Sequence, residues 1–252
     1  MVEAHLCPAC RASVGPEQHR CPVCHARLGF VPELGLLCAF EDRGEAGWHP
    51  LGVRGVGVRL PCGNYGEHPI CNWTVPAEAS DCYCESCRCM ARTPGLSEPA
   101  QRQRWARFGR ARRRLFTGLR QLGLLDAQGR VRGLPEPIFD VVDGAGGVLP
   151  EGPAVRANVP GPILVDLSRI DAMGDRDLFE ALRRAVGLRL ALARGVSLPA
   201  PAGAGHDPDR LMAEWESSSG GIGARVPEAQ RDPRQRPGTA HRGGPGRAGM
   251  LA

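Results

Sequence analysis

The stretch CYCESCRC, residues 82–89, places four cysteines within eight positions of one short segment. Within it only Cys84 and Cys87 have the C-x-x-C spacing, in which one tight turn directs two sulfurs toward a common metal ion. Cys82 and Cys89 form C-x-C pairs with these neighbours, and such pairs reach a common centre less well. We therefore predict that Cys84 and Cys87 are the metal-binding pair of this segment.

Two further cysteines, Cys62 and Cys71, begin and end the preceding loop CGNYGEHPIC. Together with Cys84 and Cys87 they supply four thiolates, the ligand set that zinc prefers in a closed tetrahedral site. We predict a structural zinc site from these four residues. Iron is an alternative metal for four cysteines, and the alternative without metal is that Cys62 or Cys71 is a small buried apolar side chain.

The N-terminal segment contains two more C-x-x-C pairs, CPAC at residues 7–10 and CPVC at residues 21–24, with ten residues between them. Two such turns again supply four thiolates, so the spacing predicts another structural zinc site. Its predicted ligands are Cys7, Cys10, Cys21 and Cys24. Four cysteines without metal and an iron–sulfur site are the alternatives. The four sulfurs make neighbouring histidines unnecessary as ligands, namely His5, His19 and His25.

All eleven cysteines lie before residue 90, and three of them, Cys38, Cys82 and Cys89, belong to neither predicted site. The N-terminus lacks the charged region and apolar run of a signal peptide. No stretch reaches the roughly 18 uninterrupted apolar residues of a membrane span. We therefore expect a cytoplasmic protein without membrane contact, whose reducing surroundings favour metal thiolates over disulfides.

Residues 1–97 are predicted to form a double zinc-ribbon module with short β-strands. Two runs have strand-like patterns, LGLLCAF at residues 34–40 and the alternating VRGVGVRL at residues 53–60. A module of this size has a small apolar core and needs metal ions to stabilise it.

Residues 98–200 are predicted to form a helical α+β unit, so the fold class of the whole chain is α+β. Ser97 is the expected N-cap of a long helix that ends near Gly123. An apolar stripe supports this helix and consists of Trp105, Phe108, Leu115, Leu119 and Leu122. The run PILVDL at residues 162–167 indicates a buried strand, and residues 175–194 indicate a second helix. Residues 201–252 are rich in Gly, Pro and Arg and predict a disordered tail.

The basic charge of the chain is concentrated in one segment. Residues 98–135 carry ten arginines against Glu98 and Asp126, which gives +8, while the other 22 arginines and 25 acidic residues give −3. A basic helix beside zinc ribbons favours nucleic-acid binding as one hypothesis. The simpler hypothesis is that the apolar stripe packs on the ribbons, while the arginines face solvent or pair with acids.

Three segments resemble a known family in order and spacing: CPVCHARLGFVPE, CGNYGEHPICNWTVP and CESCRCMARTPGLSEPAQRQRWARFGRARRRLFTGLRQLGL. The chain is similar to the bacterial zinc-ribbon-containing zinc-binding metallopeptidases through residue 125, and more weakly to residue 195. The resemblance implies a cysteine-rich module before a peptidase domain with a His-Glu-x-Gly-His helix. In that motif two histidines bind zinc and the glutamate is the general base.

The chain departs from this family at the catalytic motif, which aligns with RRAVGL at residues 183–188. Arg184, Ala185 and Leu188 stand where the resemblance expects histidine, glutamate and histidine. None of the three can bind zinc or accept a proton from water. We predict no catalytic residue and a truncated, inactive peptidase-like domain. We expect the chain to have a structural role or to bind an unidentified protein. The alternatives are that it binds nucleic acid or that it is an active zinc peptidase.

Overall fold

The computed structural model describes residues 5–65, 70–143, 152–157 and 161–194. Within these residues the chain is α+β, with three small sheets and two long helices. The predicted fold class is therefore confirmed. The predicted tail at residues 201–252 lies outside the described residues.

The N-terminal part begins with a two-stranded hairpin followed by a five-stranded antiparallel sheet. The hairpin pairs β1 (His5–Leu6) with β2 (Ser13–Val14). The larger sheet has its strands in chain order: β3 (Arg27–Val31), β4 (Leu36–Asp42), β5 (Trp48–Leu51), β6 (Arg59–Pro61) and β7 (Thr74–Pro76). A parallel bridge between Phe30 and Trp73 brings its two edges together, so the sheet curls toward closure.

Only one of the two predicted strands in this module forms as expected. The run at residues 34–40 lies largely in β4, which confirms that prediction. The strand predicted at residues 53–60 is wrong, because regular pairing begins only at Arg59. Gly52 and Gly55 have φ values of 72° and 79°, the left-handed conformation that glycine adopts without steric cost. The chain therefore turns where the alternating pattern predicted an extended strand.

The cysteine-rich segment leads into two helices. The short α1 (Glu85–Arg88) follows Cys84, and the long α2 (Pro99–Gln121) confirms the predicted long helix. The N-cap of α2 is Glu98 and not Ser97, because the fixed φ of Pro99 suits the first helical position and so makes the residue before it the N-cap. Gly123, with φ 67°, terminates the helix.

The C-terminal part consists of a three-stranded sheet and one helix. Its strands are β8 (Phe139–Val142), β9 (Val155–Arg156) and β10 (Ile163–Asp166), in the order β8-β10-β9. The central strand β10 is parallel to β8 and antiparallel to β9. The final helix α3 (Asp175–Ala193) packs against α2. The strand predicted at residues 162–167 and the helix predicted at residues 175–194 are both confirmed.

The largest hydrophobic cluster has α2 at its centre. Trp105 and Phe108 are almost fully buried and pack near Phe139 of the C-terminal sheet. The same cluster includes Cys62 and Cys71 of the N-terminal part. Apolar packing therefore crosses residue 97, and the predicted domain division at that residue stays a prediction. None of the described helices is long and apolar enough to cross a membrane.

Candidate metal centres

The first cluster consists of the four N-terminal cysteines that the spacing singled out. All four sulfurs of Cys7, Cys10, Cys21 and Cys24 lie within 4.8 Å of one another. The Sγ atoms are 3.7 Å apart for Cys7 and Cys24, and 3.6 Å apart for Cys10 and Cys21. A tetrahedral zinc ion with Zn–S bonds of about 2.3 Å separates its sulfurs by about 3.8 Å. The cluster therefore has the dimensions of a four-thiolate zinc site.

Two equivalent turns build this cluster. The N–H of Cys7 donates to the carbonyl of Ala12, and the N–H of Arg11 donates back to Cys7, both over 2.8 Å. The second turn repeats the pattern between Cys21, His25 and Ala26. Arg11 and His25 occupy corresponding positions with φ values of 68° and 59°. Such left-handed residues reverse the chain after each C-x-x-C pair and hold both sulfurs on one side.

The second cluster joins the remaining predicted ligands. The sulfurs of Cys62, Cys71, Cys84 and Cys87 also lie within 4.8 Å of one another, and those of Cys71 and Cys84 are 3.8 Å apart. Backbone N–H groups donate to two of these sulfurs, from Cys84 to Cys62 over 3.3 Å and from Trp73 to Cys71 over 3.5 Å. This cluster, too, has the dimensions of a tetrahedral four-thiolate site.

Local structure explains why Cys84 and Cys87 share a centre while their neighbours do not. Cys84 is the N-cap of α1, and the N–H of Cys87 donates to its carbonyl over 2.8 Å, so one turn directs both sulfurs inward. Cys82 is exposed. Cys89 is buried but belongs to neither cluster, and its Sγ donates instead to the carbonyl of Ser86 over 3.0 Å.

The three cysteines outside the clusters have no metal partners among the described residues. Cys38 and Cys89 are buried in apolar surroundings, and this burial raises the pKa of each thiol to about 12. Both therefore remain protonated and act as small apolar side chains. Their position outside both clusters agrees with the prediction that Cys38, Cys82 and Cys89 belong to neither site.

The two clusters differ in their access to water. In the first, Cys24 is exposed and Cys10 is half-buried, whereas each cysteine of the second is at most 5% exposed. In the first cluster, hydrogen bonds from backbone N–H groups, chiefly that of Cys24, lower the pKa of Cys21 to about 6. In the second, hydrogen bonds from Cys62, Cys71 and Cys84 lower the pKa of Cys87 well below its usual value. Each cluster thus contains one thiol whose pKa is lowered by its neighbours.

Two buried arginines of α2 lie against the second cluster, and the sequence analysis did not identify them. Nη2 of Arg112 donates to Sγ of Cys87 over 3.5 Å, and Nε donates to Oγ of Ser86 over 3.1 Å. Nη1 of Arg113 donates to the carbonyl of Ile70 over 2.7 Å, and Arg113 also pairs with Glu17. Arg112 follows Phe108 by four positions, so helical spacing could have placed it on the buried face.

The arginines of residues 98–135 are largely engaged within the protein. Seven of the ten donate side-chain hydrogen bonds to described residues: Arg102, Arg104, Arg107, Arg112, Arg113, Arg120 and Arg132. Arg114 stacks on the ring of Phe179 at 4.3 Å. The apolar stripe faces the interior, since Trp105, Phe108, Leu115 and Leu119 are buried, while Leu122 is only half-buried.

The segment aligned with the peptidase motif lies in the middle of α3. Arg184 is exposed and Ala185 is buried, while Leu188 is half-buried. Arg183, next to them, pairs with Glu180 over 2.6 Å. Among the described residues, no further group of His, Cys, Asp or Glu side chains converges as the two cysteine clusters do.

Comparison with known proteins agrees with this geometry in the N-terminal part. Residues 4–98 match the family model of a zinc-ribbon domain. No curated protein and no solved structure matches the chain. Residues 4–98 are therefore a zinc-ribbon domain, and their two four-cysteine clusters fit two zinc sites.

Proposed function

We propose that this chain is a structural zinc-binding protein, which uses its zinc-ribbon domain as an interaction module and has no peptidase activity. The observation that supports the proposal is the composition of both clusters, each of which has four cysteine sulfurs within 4.8 Å. A zinc ion with four thiolate ligands has no open position for water. It cannot generate the hydroxide nucleophile of a hydrolytic enzyme. The eight clustered cysteines are the proposed ligands, and their two zinc ions stabilise the fold.

We propose that the chain is related to the zinc metallopeptidases but lacks their activity. Arg184, Ala185 and Leu188 offer neither a metal-binding atom nor a general base. A hydrolytic zinc site needs about three protein ligands and an open position. We propose that residues 98–200 are a truncated peptidase-like remnant that positions the zinc ribbons.

The proposed partner is a protein, and the proposed compartment is the cytoplasm, where eleven cysteines remain reduced. Nucleic-acid binding by residues 98–135 is not favoured, because seven of their ten arginine side chains already bond within the chain. Three arginines of this segment are left for phosphates, the exposed Arg110, Arg114 and Arg130, and Arg114 already stacks on Phe179.

Elemental analysis of the purified chain, combined with a peptidase assay, tests this function. We expect two zinc ions per chain and no hydrolysis of fluorogenic peptides above the buffer rate. A third tightly bound zinc ion, together with turnover that a chelator abolishes, would return the chain to the peptidases. Binding of DNA or RNA at low salt, steeply lost at moderate salt, would favour the nucleic-acid alternative.

A further inference from the structure

Arg112 is a buried cation without a carboxylate partner among the described residues. Arg112 is 1% exposed, and its guanidinium carbon lies 5.3 Å from the ring centre of Trp105 and 5.0 Å from that of Phe108. Within the residues that the structure describes, its hydrogen bonds go to the hydroxyl of Ser86 and the sulfur of Cys87, and Nη1 finds no partner there. Neither aromatic rings nor a hydroxyl can neutralise the charge.

The other buried arginines of the described residues each have an acidic partner. Arg59 pairs with Glu33, Arg113 with Glu17 and Arg183 with Glu180. An arginine cannot lose its proton within a protein, so a buried one is strongly unfavourable unless a negative charge lies beside it. Of the two side-chain atoms that Arg112 hydrogen-bonds within the described part of the chain, only the sulfur of Cys87 can supply such a charge.

We propose that the metal-bound thiolate of Cys87 is the counter-ion of Arg112, and that this buried pair strengthens metal binding at the second cluster. The proposal rests on the proposed zinc occupancy of that cluster. Four thiolates and a divalent ion carry a total charge of −2, which Arg112 and Arg113 face from the same helix.

The first cluster provides an internal comparison. Its Cys24 is exposed and its Cys10 is half-buried, so water screens the negative charge of a four-thiolate site there. Each cysteine of the second cluster is at most 5% exposed, so its charge must be balanced by protein groups. The loss of Arg112 should therefore weaken metal binding at the second cluster alone.

The test is the substitution Arg112→Met, which keeps much of the side chain's length and removes its charge. Arg110→Met, on the exposed face of the same helix, is the matched control. Zinc is titrated away from the full-length chain with a chelator, and mass spectrometry follows alkylation of each cysteine. We expect the second cluster to bind zinc about 10- to 100-fold more weakly in Arg112→Met, as for other outer-sphere partners of metal ligands. The first cluster and the Arg110→Met control should be unchanged.

The same experiment separates a counter-ion from a residue that only fills space. If Arg112 merely packs between the two rings, its loss should lower the stability of the metal-free and zinc-bound forms equally, with zinc affinity unchanged. If Arg112→Met does not fold, Arg112→Lys and Arg112→Gln are compared instead, and only the lysine variant should retain affinity within a few-fold. Equal zinc affinity in the charged and neutral variants would overturn the inference. Failure of the wild-type chain to bind zinc at the second cluster would instead contradict the proposed function.

Discussion

Nε2 of His19 donates a hydrogen bond to the carbonyl oxygen of Cys71 over 3.2 Å, and this bond links the first cysteine cluster to the second. His19 stands just before the CPVC turn, whereas Cys71 is itself a member of the second cluster. Tyr65 supports the histidine, because its hydroxyl donates to the carbonyl of His19 over 2.6 Å and its ring packs edge-on against the imidazole. The two clusters therefore belong to one connected structure.

Removal of this link should destabilise the zinc-ribbon domain without removing a metal. We expect His19→Ala to lower the free energy of unfolding by about 1–2 kcal/mol, from the lost hydrogen bond and aromatic contact. Urea denaturation with parallel zinc analysis measures both quantities. His49→Ala is the control, since the His49 ring makes an exposed hydrogen bond to the carbonyl of Ala46, far from either cluster's cysteines in sequence. Loss of a zinc ion from His19→Ala would contradict this expectation and would show that His19 also supports metal binding.

Serine substitutions distinguish the cysteines of residues 82–89. Cys84→Ser should bind one zinc ion per chain instead of two and lose much of its stability, because structural zinc contributes roughly 10 kcal/mol in zinc-finger peptides. Cys82→Ser should retain both ions, because Cys82 is exposed and belongs to neither cluster. Elemental analysis of both variants provides the comparison. Loss of zinc in Cys82→Ser with retention in Cys84→Ser would show that the assignment of this pair is wrong.

The two clusters should release metal in a fixed order. Because Cys24 is exposed and all four cysteines of the second cluster are buried, a chelator should reach the first cluster sooner. Time-resolved alkylation should label Cys7 and Cys24 before Cys62 and Cys87. Simultaneous labelling of both sets would instead indicate that the domain opens as a single unit.

Two leucines of α2 test whether the helix packs in the same core as the second cluster. Leu119 is 1% exposed, and truncation of a buried leucine to alanine costs about 2–5 kcal/mol. We expect Leu119→Ala to show such a loss in chemical denaturation. Leu122→Ala should lower the free energy of unfolding by less than about 1 kcal/mol, because the Leu122 side chain is only half-buried and its truncation leaves a smaller cavity. Equal effects would contradict the observed orientation of the helix.

Restoration of the peptidase motif should fail to restore activity. We expect the triple substitution Arg184→His, Ala185→Glu and Leu188→His to show no peptide hydrolysis, because no third ligand converges on this part of α3 among the described residues. A fluorogenic peptide assay with added zinc measures the outcome. Chelator-sensitive hydrolysis by the triple variant would show that the remnant keeps a functional cleft.

The sequence by itself determined the features whose cause is local. Three of the four cysteine pairs follow from C-x-x-C spacing, because a tight turn directs both sulfurs to one side wherever it occurs. Cys62 and Cys71, with eight residues between them, were assigned as the partners that complete a four-thiolate set. The helix of residues 99–121 follows from apolar periodicity. The choice of Cys84 and Cys87 over Cys82 and Cys89 also required only the geometry of one turn.

Only the tertiary structure decided the features that depend on distant partners. The alternating pattern at residues 53–60 predicted a strand, but glycines with positive φ turn the chain there, because φ is not visible in a hydrophobic pattern. Arg112 and Arg113 looked like two more charges on a basic helix, yet both are buried against cysteines more than 20 positions earlier. Spacing identifies metal ligands because coordination geometry is local, whereas burial and counter-charges arise only when distant segments pack together.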